Sequence, residues 1–172
     1  MKKLLTCVLA LALVLSLSVT AFAAESSINQ GSTDKSGSTS INYTVAPAYT
    51  VTIPASVTLG NSVTVAASGV KVAKGSQVVV KLTGTSESDN TFEVKTTEGA
   101  ALTYTVKSDE NDTINVNDAV LTVNPDTATD GNGASGSTKL SFELNDTIQY
   151  AGTYTGTVTF TVSVETVPAG PQ

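Results

Sequence analysis

The sequence predicts an all-β protein, an antiparallel β-sandwich of roughly eight to ten short strands. Three observations carry this. Past residue 23, Thr, Val and Ser number 26, 19 and 17 of 149 residues, so β-branched side chains, poor in helices and suited to a pleated surface, set the composition. The apolar residues recur with a period of two, and no window of a dozen residues places them at i, i+3, i+4 and i+7. Segments rich in Gly, Asn, Asp, Pro and Ser separate the alternating runs.

Residues 1–23 read as a secretory signal peptide. Lys2 and Lys3 form a basic start, residues 4–19 are mostly apolar, and Ala21, Phe22 and Ala23 place small residues where a signal peptidase inspects them. The small-x-small ending and the polar segment that follows favour cleavage over a retained anchor, with Ala24 as the mature N-terminus and no membrane span afterwards. Cys7, the only cysteine, leaves with the peptide. Removing 23 residues that carry two lysines and no acid takes the chain from 172 residues to 149 and from a charge of −6 to −8. The mature chain cannot rely on disulfides, yet a chain of this length can bury about 70% of its unfolded surface in one core.

The strands follow in order. Residues 24–40 are a polar, flexible leader without apolar period. A single sandwich domain spans residues 41–166. It opens with a short run at 41–45 and a strand at 49–53 bracketed by Pro47 and Pro54, so that strand should lie at an edge or switch sheets there. Short runs follow at 57–59 and 63–65, then Val78, Val80 and Leu82, then Phe92 and Val94, then Leu102, Tyr104 and Val106. Residues 119–123 and the trio Leu140, Phe142 and Leu144 come next. The last strand is the clearest: Tyr154, Gly156, Val158, Phe160, Val162 and Val164 alternate with Thr153, Thr155, Thr157, Thr159, Thr161 and Ser163. One face is apolar and the other is a ladder of hydroxyls, as a half-buried antiparallel strand requires. Loops are predicted at 84–90, 108–117 and 124–137, and a Pro/Gly tail at 167–172. The common phase places Leu140, Phe142, Phe160, Val158, Leu102, Tyr104, Phe92, Val78 and Val80 in one core.

Residues 149–160, QYAGTYTGTVTF, resemble the closing strand motif of bacterial extracellular Ig-like and fimbrial-adhesin-type β-sandwiches, a motif shared by WxL-type wall-binding modules and spore-coat-U-type subunits. Residues 49–59, YTVTIPASVTL, look like the opening strand pair of surface proteins from Gram-positive gut anaerobes. The resemblance implies an Ig-like sandwich with a surface role, and a corner tyrosine at Tyr154 whose hydroxyl bonds backbone upstream. The W-x-L motif, the disulfide pair of usher pilins and an LPxTG-type signal after Thr166 are absent, so sortase anchoring is not expected.

The chain has no His, Arg or Trp. That removes Ser-His-Asp and Cys-His nucleophilic systems, imidazole bases and ligands, and bidentate phosphate clamps; an acidic chain without Arg has no footprint for nucleic acid. Four chemistries are left. Asp109 and Asp112 in one loop, and Asp126, Asp130 and Asn132 in another, offer oxygen ligands that would suit Ca²⁺, although neither fits EF-hand spacing; a solvated acidic loop is the simpler reading. Tyr43, Tyr49, Tyr104 and Tyr150 could stack on a sugar, but the first three share phase with Val and Ile and read as core, leaving only Tyr150 free. Glu93 and Glu143, the strand carboxylates a glycosidase would need, fall on polar faces. Lys81, Lys95, Lys107 and Lys139 likewise fall on the polar phase, which disfavours an internal isopeptide bond.

The sequence therefore leads to an exported bacterial protein, secreted or held at the cell surface. It would be non-enzymatic and without cofactor, with an adhesive or structural role toward a surface protein or glycan and with self-association possible. The alternatives are a carbohydrate-binding module and a pilin-like subunit in which residues 41–53 are donated as a strand. An ordinary first strand is the preferred reading of that segment. Tyr154, Phe160, Phe142, Tyr104 and Phe92 are the structural residues expected to matter most.

Overall fold

The computed structural model describes residues 27–33, 35–85, 91–128 and 131–168. Residues 1–23, read above as a signal peptide, most of the loop at 84–90 and the end of the tail lie outside them. Nine strands occur among the described residues: β1 (Ala48–Thr52), β2 (Ser62–Lys71), β3 (Ser76–Thr85), β4 (Glu93–Lys95), β5 (Ala101–Lys107), β6 (Thr113–Ile114), β7 (Ala119–Val123), β8 (Ala134–Leu144) and β9 (Val158–Thr166). One sheet runs β1-β2-β8-β5-β4, with β6 beside β5, and the other runs β7-β3-β9. Every pairing is antiparallel. The fold is an all-β antiparallel sandwich of two sheets, its chain crossing between them after β2, β3, β6, β7 and β8.

Alternation determines what each sheet buries. Val65, Ala67 and Val70 of β2, Val78, Val80 and Leu82 of β3, Leu102, Tyr104 and Val106 of β5, and Leu140 and Phe142 of β8 form one apolar cluster between the sheets. Phe92, Val158 and Phe160 pack against it but are only half-buried. The two faces of β3 differ in kind: Val79 also lies buried, on the opposite side from Val78 and Val80. Two glycines accommodate tight geometry. At Gly133 φ is +90°, and a Cβ there would lie 2.8 Å from the Gly69 carbonyl carbon. At Gly136 it would lie 2.9 Å from Val123 Cγ2 of the facing sheet.

Several elements differ from the sequence reading. Strands β2 and β8 are longer than their apolar runs because small and polar residues such as Ala66, Ser68, Ser135 and Ser137 continue the ladder. Strand β6 lies inside the predicted loop at 108–117. Residues 57–59 carry alternation but make no strand. The main correction is at 41–45, which lie outside both sheets and are solvent-exposed, with Ile41 at 93% and Tyr43 at 90%. Tyr43 is therefore not a core residue. The reason is local: Pro47 has no N–H to donate, so it breaks the ladder ahead of β1, and no neighbouring strand lies beside the segment.

Candidate functional site

Sheet edges are where a β-sandwich can take a partner. Strands β1 and β7 have five residues each, and β4 has three. Pro47 and Pro54 flank β1 and Pro125 follows β7, which limits pairing at both. Strand β9 differs. It has nine residues without Pro or Lys, pairs with β3 on one side, and has no strand on its other side among the described residues. Its inward-phase side chains, Val158, Phe160 and Val162, are only half-buried, and Val164 is 47% exposed. The ladder neighbours of Phe160, Val162 and Val164 on β3, Leu82, Val80 and Val78, are at most 1% exposed. The inner face of β9 thus lacks cover on one flank.

Beside that flank lies a slot of about 710 Å³. One wall is the irregular segment 53–60 and the other is 154–160, leading into β9. Val63, Val94, Leu102, Tyr104, Phe142 and Leu144 form its floor. The two aromatic rings of the floor are in contact, with Tyr104 centred 6.0 Å from Phe142, and Phe92, outside the slot, packs on Tyr104 with centres 5.6 Å apart. Burial raises the Tyr104 hydroxyl above the usual phenol range, so it stays neutral there. Val57 and Ile148 stand at the mouth, 36% and 61% exposed.

Hydrogen bonds fix the walls. After β8, the Asn145 N–H donates to the Thr103 carbonyl at 3.0 Å, and the Asp146 carboxylate accepts from both the backbone N–H and the hydroxyl of Thr103. Those donors, the backbone one foremost, hold Asp146 below the ordinary carboxylate range. The Tyr154 hydroxyl then donates to the Tyr150 carbonyl, 2.9 Å away. Finally, Thr155 and Lys95 exchange two backbone bonds of 2.9 and 3.0 Å. This bridge ties the approach to β9 onto β4 and closes the edge at that point, so β9 is open only from Val158 onward.

The remaining sequence candidates fall elsewhere. Phe160 lies on a slot wall, Phe142 and Tyr104 on its floor, and Phe92 against Tyr104. Tyr49 is half-buried, whereas Tyr150 is 64% exposed. Glu93 pairs with Lys95 at 3.0 Å and Glu143 with Lys107 at 2.7 Å. Lys81 pairs with Glu165 at 2.7 Å, which with the Ser163 hydroxyl lowers the Glu165 pKa. Asp130 lies outside the described residues. Asp126 follows the cap of a short 3₁₀ turn (Pro125–Thr127), and Asp109 accepts from the Thr138 hydroxyl at 3.3 Å. Asp112 is exposed just ahead of β6, and Asn132 lies in an exposed turn. Among the described residues no three acidic, His or Cys side chains come together as a metal site, and no helix is long and apolar enough to cross a membrane. Sequence reasoning missed the slot, because it assigned 57–59 and 41–45 to short strands and Tyr43 to the core. The signal available was the proline at 47, which isolates an alternating run from the sheet it precedes.

No family model matches the chain, and no curated protein resembles it significantly. Among solved structures, it is similar to the pre-assembly complex of chaperone and tip adhesion subunit from the archaic chaperone-usher Csu pili of Acinetobacter baumannii. The identity is 20%, the match covers 71% of this chain and 40% of that one, and the TM-score is 0.48.

Proposed function

We propose that the mature chain is an exported, non-catalytic structural subunit of the bacterial surface that assembles by accepting an extended strand at β9. The strand it accepts is residues 41–45 of another copy. One juxtaposition supports this: a long unpaired edge flanks an apolar slot, and the same chain carries an unpaired segment with strand alternation. Ile41, Tyr43 and Val45 are 93%, 90% and 62% exposed and share one face, with Asn42 and Thr44 on the other. Added beside β9, such a segment would satisfy the edge N–H and C=O groups through its backbone and bury its apolar face in the slot. Each of the three side chains would then contribute about 1.5–3 kcal/mol. The non-enzymatic part of the reading rests on the lack of His and on carboxylates that are engaged in surface ion pairs.

A labelled peptide of residues 39–47, titrated into full-length mature protein carrying Ile41→Asp and Tyr43→Asp, tests the reading. Saturable binding that a Tyr43→Asp peptide fails to reproduce is the outcome this function requires. Absence of binding by the unmodified peptide would refute it.

A further inference from the structure

On the side of β5 that faces away from β8, the sheet edge is broken. Strand β4 pairs with Ala101, Leu102 and Thr103, and the Tyr104 N–H donates to the Phe92 carbonyl at 2.9 Å. Strand β6 takes over at Val106 and Lys107. Only Thr105 lies between these two neighbours. The gap is too short for an added strand, so whatever enters it is recognised by side chains. A notch of about 410 Å³ opens there, within the range of about 300–1,000 Å³ usual for small-molecule sites.

Its walls are part aromatic and part polar. Phe92 and Tyr104 supply the apolar surface, with ring centres 5.6 Å apart and Phe92 only half-buried. Around them stand the hydroxyls of Thr91 and Thr103 and the amides of Asn115 and Asn117. Among the described residues no charged side chain lines the notch. The carboxylates beside it are engaged. Asp118 accepts from the backbone N–H and the side-chain amide of Asn115 at 2.7 and 3.1 Å, Asp146 accepts from Thr103, and Glu93 pairs with Lys95.

The turn that carries the amides is held in place by β3. The Asn117 N–H donates to the Leu82 carbonyl at 2.6 Å, and the Leu82 N–H donates to the Asp118 carbonyl at 3.1 Å. Asn117 takes φ of +76°, a conformation that Asn tolerates better than most residues. Its side-chain amide and the Thr91 hydroxyl have no hydrogen-bond partner among the described residues. Neither has the Tyr104 hydroxyl, although Tyr104 is only 6% exposed. A phenol so deep normally finds a partner, and this one is not sealed from solvent. The Tyr104 ring also floors the slot, so it is the wall that slot and notch share.

We infer that this notch binds a neutral sugar. A pyranose carries C–H groups on its ring faces and hydroxyls around its rim, so it fits an aromatic wall bordered by uncharged donors and acceptors. An Asn amide presents a donor and an acceptor side by side, which matches two adjacent sugar hydroxyls. An acidic sugar would find no cation to meet its charge, on a chain whose formal charge is −6. A wholly apolar ligand would leave the amides and hydroxyls unpaired. The inference does not rest on strand acceptance, because no residue of β9 or of the arm, residues 41–45, takes part.

Calorimetric titration of maltotriose, cellotriose, xylotriose and lactose into the arm-disabled mature chain, carrying Ile41→Asp and Tyr43→Asp, tests this, with trigalacturonic acid as the acidic comparison. At least one neutral sugar should bind saturably, and trigalacturonic acid should bind about tenfold more weakly or not at all. Asn117→Gly deletes the amide and keeps a residue at ease with positive φ, while Tyr104→Phe deletes the hydroxyl and keeps the ring. Each should weaken sugar binding about 5–20-fold. Absence of binding by every neutral sugar, parental affinity in either variant, or equal affinity for the acidic trimer would overturn the inference. None of these outcomes bears on strand acceptance, which the 39–47 peptide tests separately.

Discussion

The hydroxyl of Tyr154 donates to the backbone carbonyl of Tyr150 at 2.9 Å, pinning the turn that delivers the chain to β9. Tyr154 also lines the slot, so one side chain both shapes the crossover and forms part of the slot wall. Tyr154→Phe removes this bond while leaving the ring in place. Because the Tyr150 carbonyl is near solvent and water can replace the donor, the expected loss is about 0.5–1.5 kcal/mol, read from the urea midpoint. A loss near zero would mean that the bond adds nothing beyond its hydrated alternative.

Phenylalanines on the two sheets should differ in cost. Phe142 is 3% exposed, and Phe142→Ala should destabilise the monomer by about 3–5 kcal/mol. Phe160 lies half-buried on the slot wall, so Phe160→Ala should cost less than that in the arm-disabled monomer. In the assembled protein the ordering should narrow, because a seated arm would cover Phe160. Urea curves of both variants, with and without the 39–47 peptide, check this.

Gly133 should not tolerate a side chain. Its φ of +90° is costly for any other residue, and a Cβ would meet the backbone of Gly69 and Val70 at 2.8 and 3.0 Å. Gly133→Ala should destabilise by more than about 2 kcal/mol, whereas Gly131→Ala, with open space around its Cβ position, should stay within about 0.5 kcal/mol.

Acid should weaken the fold through carboxylates. Asp146 is held low by the Thr103 donors, and Glu165 by Lys81 and Ser163. A depressed folded-state pKa supplies stability that is present above the unfolded value and lost as pH falls through the folded value. Stability should therefore decline below about pH 4, and Asp146→Asn should make that decline shallower. With no histidine, no side chain of ordinary pKa titrates between about pH 5 and 8, so denaturation midpoints should be flat there.

The fold was largely legible in the sequence because period two is a local property. Val78, Val80 and Leu82, or Leu140 and Phe142, face the core wherever their strand sits, so alternation alone identifies them. The site was less legible, because an accepting slot depends on what is missing beside β9, and no residue of β9 records the lack of a neighbour. Ile41, Tyr43 and Val45 carry the same alternation as a core strand. Their exposure follows from Pro47 and from the absence of a partner, and only the second needs a structure to be seen. The corner bond of Tyr154 depends on the path of residues 150–154, which spacing alone does not give.

Assembly is the central claim, and sedimentation velocity of the mature chain across a concentration series tests it most directly. The account predicts oligomers that build up with concentration and collapse to monomer on Ile41→Asp and Tyr43→Asp substitution. A mature chain that remains monomeric throughout, or one that assembles equally well with its arm charged, would contradict it.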